Sequence, residues 1–170
     1  NNELTPKQKL QRIFLNFIYN NKEIKTVIIP CLANKRQDYG KFKHTNPILR
    51  AYPSDLEPKE KLMKKLGLKK QPILVMLGGS VFCLTLANKL LKEIKYIEED
   101  FIFFGYTTNF SRDNIKAFEF KENFLEYLKV CKGVITLAGY GTLSEIIAFK
   151  KPALVFPIKN HIEQALNAYV

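Results

Sequence analysis

From residue 73 to residue 169 the chain is built mostly from one pattern, a short apolar run followed by a turn and then a helix-length amphipathic segment. An unbroken apolar run is typical of a strand buried on both faces, because a strand with one wet face alternates apolar and polar positions. Such strands alternating with helices predict an α/β fold, a Rossmann-like parallel sheet with helices on both faces. The predicted strands are residues 73–77, 101–104, 117–120, 134–137 and 153–156, and the predicted helices are 84–94, 123–131, 143–149 and 162–169.

The first 70 residues are less regular. Helical spacing of apolar residues predicts a helix over 5–20, and a short apolar run predicts a strand over 26–30. Residues 33–45 are polar and basic, with one glycine, and are predicted to be a loop or linker. A proline at its start and a glycine at its end delimit a predicted helix over 58–66.

The bulk composition suits one domain. A chain of 170 residues that is 46% hydrophobic can build one real core but is short for two domains. Its three cysteines are odd in number and widely spaced, which favours neither a disulfide framework nor a zinc knuckle and makes a reducing cytoplasm the simplest compartment. We expect a piece of a longer protein, since the chain opens on Asn1 and stops within a predicted helix.

The net charge of +11 favours phosphate-bearing partners or peripheral contact with an anionic membrane surface. The alternative is that most of the lysines only form a solvated face. No helix-turn-helix, zinc-finger spacing or RNP-like strand accompanies the charge, so nucleic acid is not an expected partner.

The segment Ala138–Glu145 follows a predicted strand and opens a predicted helix. Free backbone N–H groups and the helix dipole at such a start bind anions, and Gly139 and Gly141 lack the Cβ groups that would block a pyrophosphate. We expect Glu145 in the first turn, where its carboxylate can accept hydrogen bonds from both ribose hydroxyls. The alternative is a capping box between Thr142 and Glu145. The absence of a Walker GK[ST] sequence or a strict GxGxxG disfavours NTP hydrolysis and ordinary NAD binding.

Three further segments carry candidate ligand groups near predicted strand ends, where open α/β sheets bind ligands. In Gly78-Gly79-Ser80, glycines allow close backbone approach and Ser80 can donate to phosphate, or the turn only caps a helix. Arg50 can bind two oxygens of a diphosphate, or it is a surface arginine. His161, Glu163 and Gln164 offer groups that bind sugar hydroxyls, or the segment is a helix cap formed by Asn160 and Glu163.

Several of these elements, in this order, resemble the carboxy-terminal domain of family 28 glycosyltransferases. The resemblance spans roughly residues 46–170 and rests on Asn46-Pro47-x-x-Arg50, Leu77-Gly78-Gly79-Ser80, Glu119-Phe120, Gly141-Thr142-Leu143-Ser144-Glu145, and Pro152–Pro157 with Glu163-Gln164 and Asn167-Ala168. It implies the donor-binding half of a two-domain, B-type glycosyltransferase, with a UDP-sugar donor, no cofactor and no metal. The segment His161–Gln164 also resembles the H-x-x-Q pattern of the wider two-domain group.

The resemblance also implies a role for each site residue. Arg50 and Ser80, beside Gly79, would contact the diphosphate, and Glu145 would bind the ribose. The remaining implied contacts are Phe120 and Lys121 with the uracil, backbone N–H groups of Gly141, Thr142 and Leu143 with the α-phosphate, and Glu163 and Gln164, beside His161, with the donor sugar. The sequence departs from the family at Val81-Phe82-Cys83, where Gln-Gly-Ala is usual, and at Glu163, where glutamine or aspartate is usual.

The implied organisation is the end of an amino-terminal acceptor domain with a linker over 1–45, and a nucleotide-sugar-binding domain over 46–170, truncated at its carboxyl end. The catalytic base and the acceptor then lie outside this chain, so we expect it to bind donor without transferring sugar by itself. Two alternatives stay open, a nucleotide-sugar epimerase domain and a non-catalytic donor-binding subunit of a two-chain transferase. The sequence identifies neither the donor sugar nor the acceptor.

Overall fold

The computed structural model of the chain describes residues 6–32, 37–78, 81–105, 113–119 and 121–169. These residues form two compact units, 1–46 and 47–170.

The first unit contains helix α1 (Pro6–Asn20) and two parallel strands, β1 (Val27–Pro30) and β2 (Phe42–Thr45). The predicted helix and first strand are confirmed, but the prediction of a loop through 33–45 is wrong at β2. This strand carries Lys43 and His44 and lacks an apolar run, so its composition does not reveal it. It forms by pairing with β1, a non-local contact that strand propensity does not encode. No helix among the described residues is long and apolar enough to cross a bilayer.

The second unit contains a five-stranded sheet in the order β5-β4-β3-β6-β7, and every pairing in it is parallel. Its strands are β3 (Ile73–Met76), β4 (Phe101–Phe104), β5 (Ile115–Phe118), β6 (Gly133–Thr136) and β7 (Ala153–Val155). Its helices are α2 (Lys59–Lys65), α3 (Val81–Glu93), α4 (Phe124–Val130), α5 (Tyr140–Ala148) and α6 (Ile162–Asn167), with 3₁₀ turns at Pro53–Asp55 and Ile94–Tyr96. Each strand and helix predicted for this part of the chain is therefore present; β4 has the predicted ends, and the ends of the others are shifted.

Helices pack on both faces of this sheet, as the apolar runs predict. Phe101 and Phe103 of β4 join one buried cluster with Ala87 and Leu91 of α3. Phe104 points to the opposite face, because side chains alternate along a strand, and its ring contacts α4. All four residues of β4 are buried, which explains why the strand reads as unbroken apolar sequence.

The first strand of this unit in sequence, β3, lies in the middle of the sheet, with β4 and β5 on one side and β6 and β7 on the other. The chain therefore leaves β3 and β6 in opposite directions, and a crevice opens between their carboxyl ends. Thr136 holds these ends together, since its Oγ1 donates to the carbonyl oxygens of Met76 (2.9 Å) and Leu137 (3.0 Å).

Candidate functional site

The turn that leaves β3 lies against the turn that leaves β4. Gly78 and Gly105 adopt φ angles of +71° and +73°, a left-handed conformation that strains any residue with a Cβ. A Cβ built on Gly105 would lie 3.7 Å from the carbonyl carbon of Gly78, in ordinary van der Waals contact. Gly79 and Ser80 lie outside the described residues, so their contact with a diphosphate stays a prediction.

The segment that follows β6 begins a helix earlier than predicted. Gly139 is the N-cap of α5 and Tyr140 its first residue, so Thr142 is the third helical residue and Glu145 the sixth. The expectation that Glu145 lies in the first turn is wrong, and the Thr142–Glu145 capping box is excluded because Thr142 does not occupy the N-cap. The two glycines of this segment had indicated a longer loop. In the structure Gly139 is the N-cap, and Gly141 already lies within the helix.

The start of α5 presents backbone N–H groups towards the carboxyl end of the sheet. The first N–H groups of a helix have no acceptor within it, and here they belong to Tyr140, Gly141 and Thr142. The N–H of Leu143 donates to the carbonyl of Gly139 at 3.0 Å, so this predicted phosphate donor is engaged within the helix. Among the described residues, no heavy atom beyond the chain neighbours and the helix's own backbone lies within 4 Å of a Cβ built at Gly139 or Gly141.

Arg50 and Glu145 form a bidentate ion pair across 95 residues of sequence. The Arg50 Nε donates to Glu145 Oε1 at 2.7 Å and Nη2 donates to Oε2 at 3.0 Å. The Glu145 side chain is 9% exposed and that of Arg50 is 56% exposed. The hydrogen bond to Glu145 raises the pKa of the Arg50 guanidinium above its ordinary value, so it carries its charge at any physiological pH. The sequence predicted a ligand role for each residue but not that they touch.

An aromatic cluster lies at the carboxyl ends of β4 and β5, and the sequence analysis missed it. Phe104 is at its centre, with ring centroids 5.4–5.8 Å from those of Phe118, Phe124 and Tyr127. The guanidinium carbon of Arg50 lies 5.0 Å from the centroid of the Phe124 ring, an attractive cation–π arrangement. The only signal in the sequence was that Phe104 and Phe118 stand at strand ends, whereas Phe124 and Tyr127 belong to the following helix α4.

Lys121 extends this aromatic surface at the end of β5. Its Nζ lies 4.6 Å from the centroid of the Phe118 ring. The structure therefore brings Lys121 next to the aromatic cluster that also contacts Arg50. Phe120, the other predicted uracil contact, lies outside the described residues.

The segment before α6 holds its polar side chains in local hydrogen bonds. His161 is the N-cap, and its Nδ1 accepts from the backbone N–H of Gln164 at 3.3 Å. The Gln164 Oε1 accepts from the backbone N–H of Ile158 at 3.0 Å. The predicted cap by Asn160 is wrong, because Asn160 lies before the cap in a left-handed turn with φ +63°. Glu163 is exposed in the first turn.

Asn167 joins α6 to the segment that precedes α5. Its Nδ2 donates to the carbonyl oxygen of Ala138 at 3.1 Å. The structure therefore joins the carboxyl-terminal end of α6 to the residue before the Gly139 N-cap, while His161 lies at the opposite end of α6. The Asn167-Ala168 pair was part of the family resemblance, but the sequence predicted no role for Asn167.

No group of three or more His, Cys, Asp or Glu in the described ranges is placed to hold a metal ion. A concave surface lined by Gly67–Lys70, Asp100 and Lys116 lies at the amino ends of β3, β4 and β5. It is at the edge of the sheet opposite the carboxyl end of β6, which leads into α5.

A crevice at the switch point of a parallel sheet, beside the N-terminus of a helix, is typical of nucleotide-binding α/β domains. A family model described as "Glycosyl transferase family 1" matches residues 69–170, more than half of the chain. The chain belongs to this glycosyltransferase family.

Similarity to individual proteins agrees with the expected resemblance. An uncharacterised glycosyltransferase from Methanopyrus kandleri is 30% identical over 127 residues, which are 72% of this chain and 37% of that protein. The UDP-N-acetylglucosamine–N-acetylmuramyl-(pentapeptide) pyrophosphoryl-undecaprenol N-acetylglucosamine transferase of Thermosipho melanesiensis is 31% identical over 96 residues, 55% of this chain and 29% of the relative. Among solved structures, the glycosyltransferase SnogD from Streptomyces nogalater matches with a TM-score of 0.44 and 22% identity, over 54% of this chain and 27% of that one.

The chain spans little more than a third of the length of the first of these relatives. Both curated relatives are glycosyltransferases by name, and neither is an epimerase, so the epimerase alternative is not favoured.

Proposed function

We propose that residues 47–170 bind a UDP-sugar and form the donor half of a glycosyltransferase. One observation carries this proposal, the buried Glu145 carboxylate on the same short helix whose free N–H groups begin at Tyr140. The carboxylate can accept hydrogen bonds from hydroxyl groups, and it lies about one and a half turns from a helix start that can bind an anion. A ribose attached to a phosphate presents both of these groups. Membership in a glycosyltransferase family supports a sugar nucleotide as the ligand.

In this proposal each part of the donor meets a different element. The N–H groups of Tyr140, Gly141 and Thr142 bind the diphosphate, and the Glu145 carboxylate accepts from the ribose hydroxyls. The uracil lies by Lys121 and the aromatic cluster, with Phe120 as a further predicted contact. His161, Glu163 and Gln164 bind the sugar.

The reaction we propose is displacement of UDP at the anomeric carbon by an acceptor hydroxyl. As the bond to the sugar breaks, negative charge grows on the departing phosphate, where helix N–H groups and the helix dipole stabilise it. This arrangement supplies charge stabilisation without a metal ion, and we propose a metal-independent reaction.

The acceptor and the general base belong, in this proposal, to a part of the protein that precedes residue 46 or to a partner subunit. Residues 1–45 would be the end of that acceptor domain and its linker. Support comes from the short share of its relatives that this chain spans. We expect the 170-residue chain alone to bind UDP without measurable sugar transfer. We expect the protein to be located in the cytoplasm or at the surface of a membrane.

Calorimetric titration with UDP tests the site. We expect Glu145→Gln to weaken UDP binding by about 10- to 100-fold, because it removes a charged acceptor of two hydrogen bonds. Glu60→Gln is the matched control, since Glu60 is an exposed glutamate on α2. An unchanged dissociation constant in Glu145→Gln would contradict the proposal. A thermal-shift panel of UDP-, GDP- and TDP-sugars then identifies the donor class.

A further inference from the structure

Helix α1 carries a stripe of apolar side chains that faces away from the strands of its own unit. The residues of this apolar stripe stand at positions i, i+3, i+4 and i+7 on one side of the helix, and they are Leu10, Ile13, Phe14 and Phe17. Each of them is 61–67% exposed. Tyr19 follows Leu10 by about two and a half helical turns, so it lies on the opposite side, and its ring stacks on Phe42 of β2. The described part of the first unit therefore leaves the apolar stripe uncovered.

We propose that the apolar stripe of α1 docks on the surface of an anionic phospholipid bilayer. The helix then lies parallel to the membrane plane, with the stripe buried at the boundary between the lipid headgroups and the acyl chains. This inference goes beyond the proposed function, since it assigns a partner to the first unit and does not depend on the nucleotide site of residues 47–170.

The polar side of α1 carries charge of the sign that such a surface attracts. The helix contains no Asp or Glu. Its polar side consists of exposed side chains, which are Lys9, Arg12, Asn16 and Asn20. Lys9 borders the apolar stripe next to Ile13, so its alkyl chain can cover the edge of the stripe while its ammonium group reaches lipid phosphates. An apolar side combined with a basic polar side is the pattern of helices that bind at the surface of a membrane.

The segments that follow α1 add to this basic charge. Lys22 and Lys25 are exposed just after the helix. Glu23 and Asp38 are the acidic residues in the described part of this unit, and Asp38 is paired with Lys43 at 3.3 Å. An apolar protein surface would gain nothing from this excess of positive charge, whereas the negative surface potential of an anionic bilayer attracts it.

Co-sedimentation of the 170-residue chain with lipid vesicles tests the inference. The vesicles contain either equal parts of phosphatidylglycerol and phosphatidylcholine or phosphatidylcholine alone. We expect binding to the anionic vesicles that weakens several-fold between about 0.05 M and about 0.5 M salt, because salt screens the charges of the lysine and arginine side chains. We expect much weaker binding to phosphatidylcholine alone.

Paired substitution of two phenylalanines isolates the contribution of the apolar stripe. We expect Phe14→Ser combined with Phe17→Ser to weaken vesicle binding by about tenfold or more, since each change removes an aromatic side chain that the bilayer would bury. Leu154→Ser is the matched control, because Leu154 is 62% exposed, as Phe14 is, and lies on β7 in the other unit. We expect this control to bind vesicles as the unmodified chain does.

Tryptophan fluorescence gives a second measurement that leaves the stripe apolar. The chain contains no tryptophan, so Phe14→Trp introduces a single fluorophore at an exposed position. We expect its emission to shift to shorter wavelength when anionic vesicles are added, because the indole ring then leaves water. The emission of Leu154→Trp should stay unchanged.

Three results would overturn the inference. The first is that the unmodified chain does not sediment with anionic vesicles. The second is that the paired serine variant binds them as tightly as the unmodified chain, or that the Phe14→Trp emission does not shift, since basic charge alone would then account for binding. The third is that the chain forms dimers in analytical ultracentrifugation and the serine variant is monomeric with unchanged vesicle binding, which would assign the stripe to a second copy. None of these results bears on UDP binding by residues 47–170.

Discussion

Asn167 and Ala138 are 29 residues apart in sequence, and a 3.1 Å hydrogen bond joins the side-chain amide of one to the main-chain carbonyl of the other. This bond joins the carboxyl-terminal end of α6 to the segment that precedes α5. The bond therefore links the two helices whose amino-terminal segments are proposed to bind adjacent parts of the donor, the diphosphate and the sugar.

We expect Asn167→Ala to destabilise the chain by about 1 kcal/mol, the typical net value of one hydrogen bond. We expect a larger loss of affinity for the UDP-sugar than for UDP, because the α6 segment is proposed to contact only the sugar. Chemical denaturation and calorimetry measure the two effects. Asn20→Ala on α1 is the control, an exposed asparagine in the other unit. Equal losses for UDP and UDP-sugar would contradict the proposed division of the site.

Gly141→Ala is expected to stabilise the chain and weaken nucleotide binding at the same time. Gly141 lies in α5, and a Cβ there meets no described atom beyond its own helix within 4 Å, so alanine is expected to gain helix propensity of up to about 1 kcal/mol. The same methyl group enters the space proposed for the diphosphate, and we expect UDP affinity to fall about tenfold or more.

Thermal unfolding and titrations with UDP and uridine check these two effects. Uridine lacks phosphates and should bind the Gly141→Ala variant as it binds the unmodified chain. If the variant is more stable and still binds UDP normally, this result would contradict the proposal that the N-terminus of α5 binds the diphosphate.

The stability of the chain should fall above pH 9 because of Cys131. Burial raises the pKa of its thiol to about 11. Between its ordinary pKa and about 11 the unfolded chain loses the thiol proton while the folded chain keeps it, so rising pH favours unfolding, by about 2–3 kcal/mol in total. Below pH 9 both states hold the proton, and the stabilisation is fully present.

Denaturant unfolding of the unmodified chain and of Cys131→Ala, from pH 8 to pH 11, isolates this effect. Lys151 works in the opposite direction, since burial lowers its pKa and the unfolded chain binds its proton more tightly. Lys151 is present in both proteins, and because its charge interacts with the Cys131 thiolate, the difference between the two curves reports the thiol together with this interaction. Parallel curves across this range would show that the thiol does not titrate differently on folding.

The sequence was sufficient for most of the sheet because β3, β4 and β6 are largely buried runs of apolar residues, which can be recognised without knowledge of their neighbours. The edge strand β7 is also an apolar run, although it is largely exposed. β4, with four buried residues, is the clearest case and was predicted with its exact ends. β2 was missed because it is half-exposed and polar, and only pairing with β1 makes it a strand. The order of the strands and loops along the chain predicted that the loops after the strands lie at one edge of the sheet, because parallel strands have their carboxyl ends at the same edge.

The partnerships within the site were harder to predict. The residues Arg50 and Glu145 were both identified, but contact between residues 95 positions apart depends on side-chain directions that sequence spacing does not contain. The same holds for the aromatic cluster, in which Phe104, Phe118 and Phe124 come from three separate elements. The start of α5 was misplaced by three residues because glycine is compatible with both a loop and a helix end.

The bond between Arg50 and Glu145 closes a loop of most of the second unit, so the proposed nucleotide site does not exist until the sheet has formed. A ligand of such a site binds the folded chain and not the unfolded one. At a hundredfold excess over its dissociation constant it adds about 2.7 kcal/mol to the free energy of unfolding. The proposed donor would therefore stabilise the folded state, and the chain would be most resistant to unfolding and proteolysis where this nucleotide is abundant.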